Sequence, residues 1–414
     1  MQAAVTATPA WQRTLQSVLW PLAILTIIHR VVVKAVNGSV TNDFGTVYAA
    51  TRRFLDGGPV YVENLLVSDP HYLYSPSATV LLSPFGMIDM YTYARWTFIA
   101  FNFLCIVGAV LLLLRLFKIP LTSYATPAVF LGVFLTESVT NTLVFTNING
   151  LIFLCQAAFF VLLHERRLWL SGIPLGLSLA IKPMLAPLLV LPLLRRQWQP
   201  FVISIAIPLV TFTWGWWATA DGKSYFDVIG PYMSEVRDYY NSSIAGIGAY
   251  FDAPEPLVLA ARVVVIALTL ATVWLLMGYR HNHEVLWMTT TAGVVMAGVF
   301  LVSTLGQMYY SMLLIPLLLT VVLEGSFVRN AFAWIAAYGF FTMDGWESSR
   351  WPSLGRVAEY MHPTIGWLLM LLTVFVIAVW RYTDPRRHDR ITPSAVPPSR
   401  AGIGTTAGQS ASVQ

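Results

Sequence analysis

Apolar runs long enough to cross a lipid bilayer recur from residue 15 to residue 381, and they limit what this chain can fold into more than any other feature. A crossing helix needs about 20 mostly apolar residues, and it must satisfy its own backbone hydrogen bonds because hydrocarbon offers none. The composition agrees, since 57% of the residues are hydrophobic and only 11% are charged. The sequence therefore predicts an all-α, polytopic membrane protein with about 11 to 12 transmembrane helices.

The same runs divide the chain into segments. They lie near residues 15–36, 76–90, 96–117, 122–139, 148–164, 168–194, 200–219, 257–279, 285–304, 308–323, 329–343 and 363–381. We expect a cytoplasmic amino terminus at 1–14, a transmembrane domain at 15–383 and extracytoplasmic loops at 37–74 and 220–256. Residues 384–414 are rich in Pro, Ser, Gly and Thr, which predicts a disordered cytoplasmic tail.

Basic clusters indicate the orientation, because Lys and Arg are enriched on the cytoplasmic side. The clearest clusters are RRQW (195–198), YRHNH (279–283), VRN (328–330) and RYTDPRRHDR (381–390). RLFK (115–118) and HERR (164–167) also look cytoplasmic, although twelve simple crossings would place both outside. We therefore expect that one run does not span the bilayer.

Two runs are candidates for that exception, and proline identifies both. Pro76 and Pro84 bracket the run at 76–90, and the segment AIKPMLAP interrupts the run at 168–194. Because proline removes a helical hydrogen bond, either run is predicted to be re-entrant or broken. In the first outer loop, by contrast, Val47, Phe54 and Leu55 form an amphipathic pattern that predicts a short helix on the bilayer surface.

Asp43 is the first candidate for chemistry, because it follows the first helix at the expected outer membrane edge. Partial burial there would raise the pKa of a carboxyl group toward the working pH, as a general base requires. The alternative is a helix N-cap, since TND before FGTVYAATRRF is good capping chemistry. The residue alone leaves both interpretations open.

Other polar side chains in the outer segments and in one apolar run are typical of phosphate or sugar contacts. For a lipid phosphate we name His71, Tyr72, Tyr74, Arg237 and the intramembrane Lys182. For sugar hydroxyls and rings we name Asn241, Gln307, Tyr309, Tyr310 and Trp346. Arginine can clamp an anion and interfacial aromatics can face a carbohydrate. Taken singly, each loop also fits a solvated turn with interfacial aromatic residues.

Several classes of protein have no support in the sequence. No Walker loop or dinucleotide fingerprint occurs in a suitable context, and no HExxH motif or paired His cluster indicates a metal. We expect neither a cofactor nor a metal. The formal charge of +5 is explained by basic residues at helix ends, so no nucleic-acid partner is expected.

Four stretches, DPHYLYSP, TESVTNTLVFTNING, RDYYNSS and YYSMLLIPLLLTVVL, are similar to segments of GT-C glycosyltransferases. The chain resembles the actinobacterial branch of these membrane enzymes, which use polyprenyl-phosphate sugars, and within it the cell-wall arabinofuranosyltransferases. The resemblance covers most of residues 17–383. It implies that the carboxylate just after the first helix, Asp43, is catalytic. Some relatives have a doubled acidic motif, and here it is Asn42-Asp43, which departs from a mechanism with two carboxylates.

The resemblance further implies the reaction. The donor would be decaprenyl-phospho-arabinofuranose, and the acceptor the 3-OH of arabinan in arabinogalactan and lipoarabinomannan, at the extracytoplasmic face of the plasma membrane. A β-linked donor and an α-linked product require inversion, with one base opposite a leaving phosphate. Phosphate is a stable anion, so it needs positive charge more than a general acid.

Two alternatives remain open at this stage. A polyprenyl-phosphomannose-dependent mannosyltransferase would share every feature derived from the residues. A lipid-carrier flippase or transporter would share the composition, but paired broken helices in two related halves would be expected. No internal repeat of that kind is visible in the sequence.

Overall fold

The computed structural model describes residues 9–38, 43–65 and 70–384. Every regular element within these ranges is helical, which confirms the predicted all-α architecture. The expectations that concern residues 1–8, Asn42, residues 66–69 and the tail from residue 385 onward lie outside the described residues.

The helices follow the apolar runs closely, and we number them in chain order. They are α1 (Ala10–Val36), α2 (Asp43–Leu55), α3 (Pro76–Gly86), α4 (Tyr91–Leu116), α5 (Ala125–Leu135), α6 (Glu137–Val144), α7 (Asn149–His164), α8 (Leu168–Ile181), α9 (Pro183–Leu194), α10 (Trp198–Ala218), α11 (Gly230–Ser234), α12 (Ile244–Tyr250), α13 (Glu255–Tyr279), α14 (Glu284–Val302), α15 (Met308–Val322), α16 (Ala331–Phe341) and α17 (Pro352–Thr383).

The lengths of these helices differ more than the apolar runs suggest. Six helices of the described chain are long and apolar enough to cross a membrane, namely α1, α4, α10, α13, α14 and α17. Helices α5 and α6 form a seventh candidate if they are taken together across a bend of 60°. The apolar helices α7, α8, α9, α15 and α16 are shorter. The protein is thus a multi-pass membrane protein in which several apolar segments are short, bent or broken.

Helices α8 and α9 form a re-entrant hairpin and not one continuous span. Lys182 separates them in an extended conformation, with φ −146° and ψ 106°, and Pro183 begins the next helix. Arg166, before α8, and Arg195, after α9, both form ion pairs with Glu284 at the start of α14. The two ends of the segment therefore lie on one side of the molecule, and Lys182 lies at the hairpin tip.

Helix α3 corresponds to the other run, at 76–90, whose prolines predicted a re-entrant or broken segment. Its 11 residues extend about 17 Å, roughly half the thickness of the hydrocarbon core. The Ser75 hydroxyl at its start donates to the carbonyl of Ala180 (3.0 Å), next to the hairpin tip. At its end, a Cβ added to Gly86 would lie 2.7 Å from Thr51 Oγ1 of α2. Helix α3 therefore connects the hairpin tip to α2 and is too short to cross by itself.

The predicted amphipathic helix of the first loop is present as α2. One face buries Phe44, Val47 and Ala50, and the Phe44 ring stacks on Phe98 of α4 with 4.6 Å between ring centres. Two residues beyond the end of α2, Gly57 has φ +71°, a conformation that favours glycine. This packing holds the first turn of α2 against the helical bundle.

Candidate active site

Asp43 is the first residue of α2, and it is fixed to the connection between α6 and α7. Its backbone N–H donates to the carbonyl of Phe145 (2.8 Å), and the Thr46 hydroxyl donates to the Asp43 carbonyl (2.9 Å). Its carboxylate interacts with the side-chain amide of Asn147 and is only partly exposed. The position thus combines a helix start with a carboxylate that faces other protein side chains.

Lys182 supplies a positive charge to the same site from the hairpin tip. Its ammonium group attracts the Asp43 carboxylate and donates to Asn149 Oδ1 (3.2 Å). It also lies 4.8 Å from the ring centre of Tyr310 and 5.8 Å from that of Tyr309, distances at which a cation is attracted to an aromatic face. The broken helix therefore brings a partly buried cation to the candidate base.

The protonation state of Asp43 results from opposing effects. Burial raises the pKa of the Asp43 carboxyl above its usual value, because a charge is poorly solvated inside the protein. The positive charge of Lys182 and the amide of Asn147 lower the pKa of Asp43 and partly offset this effect. A base that must accept a proton near neutral pH needs this kind of balance.

Three tyrosines surround the carboxylate. The side chains of Tyr74, Tyr309 and Tyr310 all interact electrostatically with Asp43, and the Tyr309 hydroxyl donates to Gln307 Oε1. Burial raises the pKa of Tyr74 well above its usual value, so its hydroxyl stays protonated and can donate a hydrogen bond. The structure thus brings together Asp43 and four of the other predicted residues, in addition to Lys182.

Arg237 lies at the edge of this group. Its guanidinium group is 4.7 Å from the ring centre of Tyr232, and its charge acts on Tyr310. The side chain is partly exposed and lies in the loop between α11 and α12. Arg237 therefore adds a second positive charge near Tyr310.

His71 lies beside the first turn of α2, in a pocket that is separate from the group of side chains around Asp43. That pocket has a volume of about 310 Å³ and is lined by Gly45, Thr46, Ala49, Glu63, Asn64, Pro70 and His71. The His71 Nδ1 atom is 3.8 Å from the Glu63 carboxylate, and burial raises the pKa of Glu63. The pocket and the Asp43 group share the amino-terminal turn of α2.

Two of the predicted site residues, Tyr72 and Trp346, contact other side chains of the protein. Tyr72 is 1% exposed, and its hydroxyl is hydrogen-bonded to Thr79 (2.8 Å), so its ring packs inside the bundle and not at the interface. Trp346 stacks on His362 with 6.0 Å between ring centres and contacts Tyr338. The ring of Trp346 therefore contacts residues of α16 and α17, and its role in sugar binding stays a prediction.

Asn241 is also engaged by the backbone. Its Oδ1 accepts from the N–H groups of Ser243 (3.1 Å) and Gly306 (2.9 Å). Its Nδ2 donates to the carbonyls of Arg237 (2.9 Å) and Thr304 (2.8 Å). In this arrangement Asn241 joins the loop that carries Arg237 to the segment before α15, and its sugar contact stays a prediction.

The structure adds three residues that the sequence did not single out as site residues. Glu137, Asn147 and Asn149 are at most 8% exposed, and each has one side-chain atom without a hydrogen-bond partner. Glu137 also acts electrostatically on Tyr309. The signal was present in TESVTNTLVFTNING, where polar residues interrupt an apolar stretch, but such residues are common in turns and caps.

The group combines a partly desolvated carboxylate, two cations and phenolic donors. Within residues 9–38, 43–65 and 70–384, no three His, Cys, Asp or Glu side chains cluster as a metal site. A carboxylate can accept a proton from a hydroxyl group, and nearby cations can stabilise an anion that leaves.

The known proteins that this chain resembles in sequence are glycosyltransferases. The model of glycosyltransferase family 87 matches residues 72–304. The chain is 43% identical over 405 residues to an α-(1→3)-arabinofuranosyltransferase of Mycobacterium tuberculosis, which covers 96% of this chain and 93% of that protein. Proteins with the same name from Mycolicibacterium smegmatis and Corynebacterium glutamicum are 44% and 42% identical, covering 97% and 93% of this chain and 94% and 92% of those proteins.

Proposed function

Since the chain belongs to glycosyltransferase family 87, we propose that it transfers arabinofuranose from decaprenyl-phospho-arabinofuranose to the 3-OH of cell-wall arabinan. The arabinan of arabinogalactan and lipoarabinomannan would be the acceptor. Identity above 40% over nearly the whole chain to proteins named α-(1→3)-arabinofuranosyltransferase supports the sugar and the linkage. The observation that carries the mechanism is the placement of the partly buried Asp43 and Lys182 in one group of interacting side chains.

Asp43 acts as the general base in this proposal. It takes the proton of the acceptor 3-OH while the acceptor oxygen attacks the anomeric carbon from the face opposite the phosphate. The bond from that carbon to the phosphate oxygen breaks, and its electron pair stays on the phosphate. One displacement inverts the configuration, and one carboxylate is sufficient because phosphate leaves as an anion.

Positive charge stabilises the leaving phosphate. Lys182 and Arg237 approach the tyrosine cluster from two different elements, which suits an anion bound between them. Tyr74 adds a hydroxyl donor near the same place. His71 is assigned to the lipid phosphate, and the buried Tyr72 is assigned to holding the segment that carries His71 and Tyr74. Sugar contacts are assigned to Gln307, Tyr309, Tyr310, Asn241 and Trp346.

The reaction is proposed to take place on the extracytoplasmic side of the plasma membrane. Arg115 pairs with Glu165, and Arg166 and Arg195 pair with Glu284, so the basic clusters at these helix ends meet on one side. Because α3 is too short to cross and α8 and α9 re-enter, RLFK and HERR lie on the same side as RRQW, which twelve simple crossings would not allow. The enrichment of basic residues on the cytoplasmic side of membrane proteins then supports an outer position for Asp43.

The direct test uses the purified chain with three lipid donors or carriers. We expect transfer of radiolabelled arabinose from decaprenyl-phospho-arabinofuranose to an arabinan oligosaccharide, with a new α-(1→3) linkage in the product. If mannose from decaprenyl-phosphomannose were transferred at a higher rate than arabinose, the protein would be a mannosyltransferase and the proposed sugar would be wrong. Movement of the lipid carrier across vesicles without any glycosidic product would contradict the enzyme mechanism.

A further inference from the structure

The segment from Phe145 to Asn149, which connects α6 and α7, contacts two charged residues of the candidate site, Asp43 and Lys182. Its Phe145 carbonyl accepts the backbone N–H of Asp43 (2.8 Å). Two of its side chains, those of Asn147 and Asn149, are 2% and 3% exposed. Each of these asparagines serves a different charged group.

Asn147 is oriented toward the carboxylate. Its Oδ1 accepts the backbone N–H of Asn149 (3.1 Å), which fixes the amide plane and leaves Nδ2 on the other side. This amide interacts with the Asp43 carboxylate, yet Nδ2 makes no hydrogen bond of ordinary geometry in the structure. A buried donor beside a partly desolvated carboxylate favours the ionised form and restricts its direction.

Asn149 holds the cation. Its Oδ1 accepts from Lys182 Nζ (3.2 Å), while its Nδ2 is buried without a partner. An amide oxygen satisfies one of the three ammonium donors without adding a negative charge. The lysine therefore keeps its positive charge available to other groups, such as Asp43 or a bound anion.

The segment itself is rigidly placed. A Cβ added to Gly150 would lie 2.6 Å from Asn102 Oδ1 and 2.8 Å from the Asn102 carbonyl of α4, so α7 begins in direct contact with α4. Thr146 has φ +54°, which is uncommon for a β-branched residue and costs free energy that the surrounding contacts must offset. Strain of this kind is often retained where a side chain must be aimed.

We propose that Asn147 and Asn149 are positioning residues, with Asn147 aiming the Asp43 carboxylate and Asn149 holding the Lys182 ammonium group. The segment acts as one clamp that keeps base and cation in separate, defined places before substrates bind. This inference rests on the proposed role of Asp43 as the base.

Other groups also face Asp43, and they are unchanged in the test. Lys182 from the hairpin, Tyr74 from the extended segment before α3, and Tyr309 and Tyr310 from α15 all interact with it. Glu137 acts on Tyr309 and Arg237 acts on Tyr310, one residue further away. The amide of Asn147 favours ionised Asp43, so its removal raises the pKa of Asp43.

The test compares two substitutions at one position. Asn147→Leu removes the amide at similar volume, whereas Asn147→Asp keeps Oδ1 as an acceptor for the Asn149 N–H and replaces only the donor. For both variants we expect kcat/KM below neutral pH to fall about tenfold or more, the scale of a hydrogen bond to a charged group, and to recover toward the wild-type value at alkaline pH. The acidic limb of the kcat/KM profile, which is the pH range in which kcat/KM falls as Asp43 becomes protonated, should move to higher pH in both variants. It should move furthest for Asn147→Asp, because a second carboxylate further disfavours ionisation of Asp43.

Asn149→Ala gives a different result if the roles are distinct. We expect a KM for the lipid donor raised about tenfold, with the acidic limb of the pH profile close to its wild-type position. Asn330→Ala is the matched control, because Asn330 caps α16 by accepting from the Ala333 N–H (3.0 Å) and lies outside the site. This variant loses a cap but should keep both kinetic parameters.

The Asn147 variants test the positioning role, whereas an Asp43→Asn variant tests the proposed base. A loss in both Asn147 variants that is equal at every pH, or an unchanged profile, would overturn the positioning role. Full activity of an Asp43→Asn variant would instead remove the base, and with it the proposed mechanism. Thermal unfolding of each variant shows whether a pH-independent loss comes from misfolding, and the Asn147→Asp profile decides the matter if Asn147→Leu is unstable.

Discussion

Asp43 is a residue whose chemistry depends on its surroundings more than on its type. Burial raises the pKa of its carboxyl, and Lys182 and Asn147 lower it. As a base, Asp43 must be ionised, so activity is lost as the pH falls through the pKa of the folded enzyme. We expect an acidic limb in the kcat/KM profile at a higher pH than an exposed aspartate would give.

Substitution of Lys182 tests the electrostatic part of this account. Lys182→Met removes the positive charge that lowers the pKa of Asp43, so the acidic limb should move to higher pH. The rate should also fall at all pH values, because the leaving phosphate loses a cation. Lys182→Arg keeps the charge and should leave the limb near its wild-type position, and a limb that is the same in all three proteins would contradict the coupling.

The sequence indicated some of these residues and not others, for a physical reason. Asp43 and Lys182 are charges in or beside apolar runs, where a charge is costly and therefore informative. Asn147 and Asn149 are small neutral residues at the start of a helix, where capping is the ordinary explanation. Only their contacts with Asp43 and Lys182 distinguish them from caps.

At the scale of helices, close contact between α8 and α10 supports the hairpin that carries Lys182. A Cβ added to Gly172 would lie 2.6 Å from Ile203 Cβ and 2.7 Å from the Pro200 carbonyl. Gly172→Ala should therefore force the helices apart and cost about 1 to 3 kcal/mol, as overpacking does. Thermal unfolding in detergent should show a lower midpoint.

The same substitution elsewhere serves as the control. Gly132 lies within α5, and an added Cβ would meet nothing within 4 Å. Gly132→Ala should be neutral or stabilising by up to about 1 kcal/mol, because alanine is the better helix former. Equal destabilisation by both changes would show that the α8–α10 contact is not special.

Glu284 pairs with arginines at both ends of the hairpin, so its substitution tests how much these ion pairs stabilise the fold. It pairs with Arg195, whose side chain is 6% exposed, and with Arg166. Glu284→Gln leaves Arg195 buried without its carboxylate, so we expect a loss of about 3 kcal/mol in the free energy of unfolding. Glu165→Gln is the comparison, because its partner Arg115 is 65% exposed and such pairs contribute about 1 kcal/mol or less.

Helix positions could be predicted from apolar runs, and helix lengths could not. The proline signals in AIKPMLAP and around Pro84 correctly marked the segments that do not run straight through. Whether the 168–194 run was broken or re-entrant depended on Arg166 and Arg195 meeting one distant carboxylate. These partners lie 118 and 89 positions apart in the chain, so their contacts have no local signature in the sequence.

For the whole molecule, the sidedness of the site has a simple test. The described cysteines, Cys105 and Cys155, are both buried, so single new cysteines can be labelled over a low background. In intact cells, a membrane-impermeant maleimide should label Asp56→Cys at the end of α2 and not Arg196→Cys after α9. Arg196→Cys should react only after permeabilisation, and the reverse pattern would place the site in the cytoplasm.

The central claim is that Asp43 removes the proton of the acceptor hydroxyl, and one paired measurement tests it. Purified Asp43→Asn and Asp56→Asn proteins are compared for arabinose transfer and for binding of decaprenyl-phospho-arabinofuranose. The two changes are chemically identical and lie at opposite ends of the α2 region, one beside Lys182 and one exposed. We predict that Asp43→Asn binds donor but loses transfer by about 10²-fold or more, while Asp56→Asn keeps it. Transfer by Asp43→Asn at a rate near that of Asp56→Asn would contradict the account.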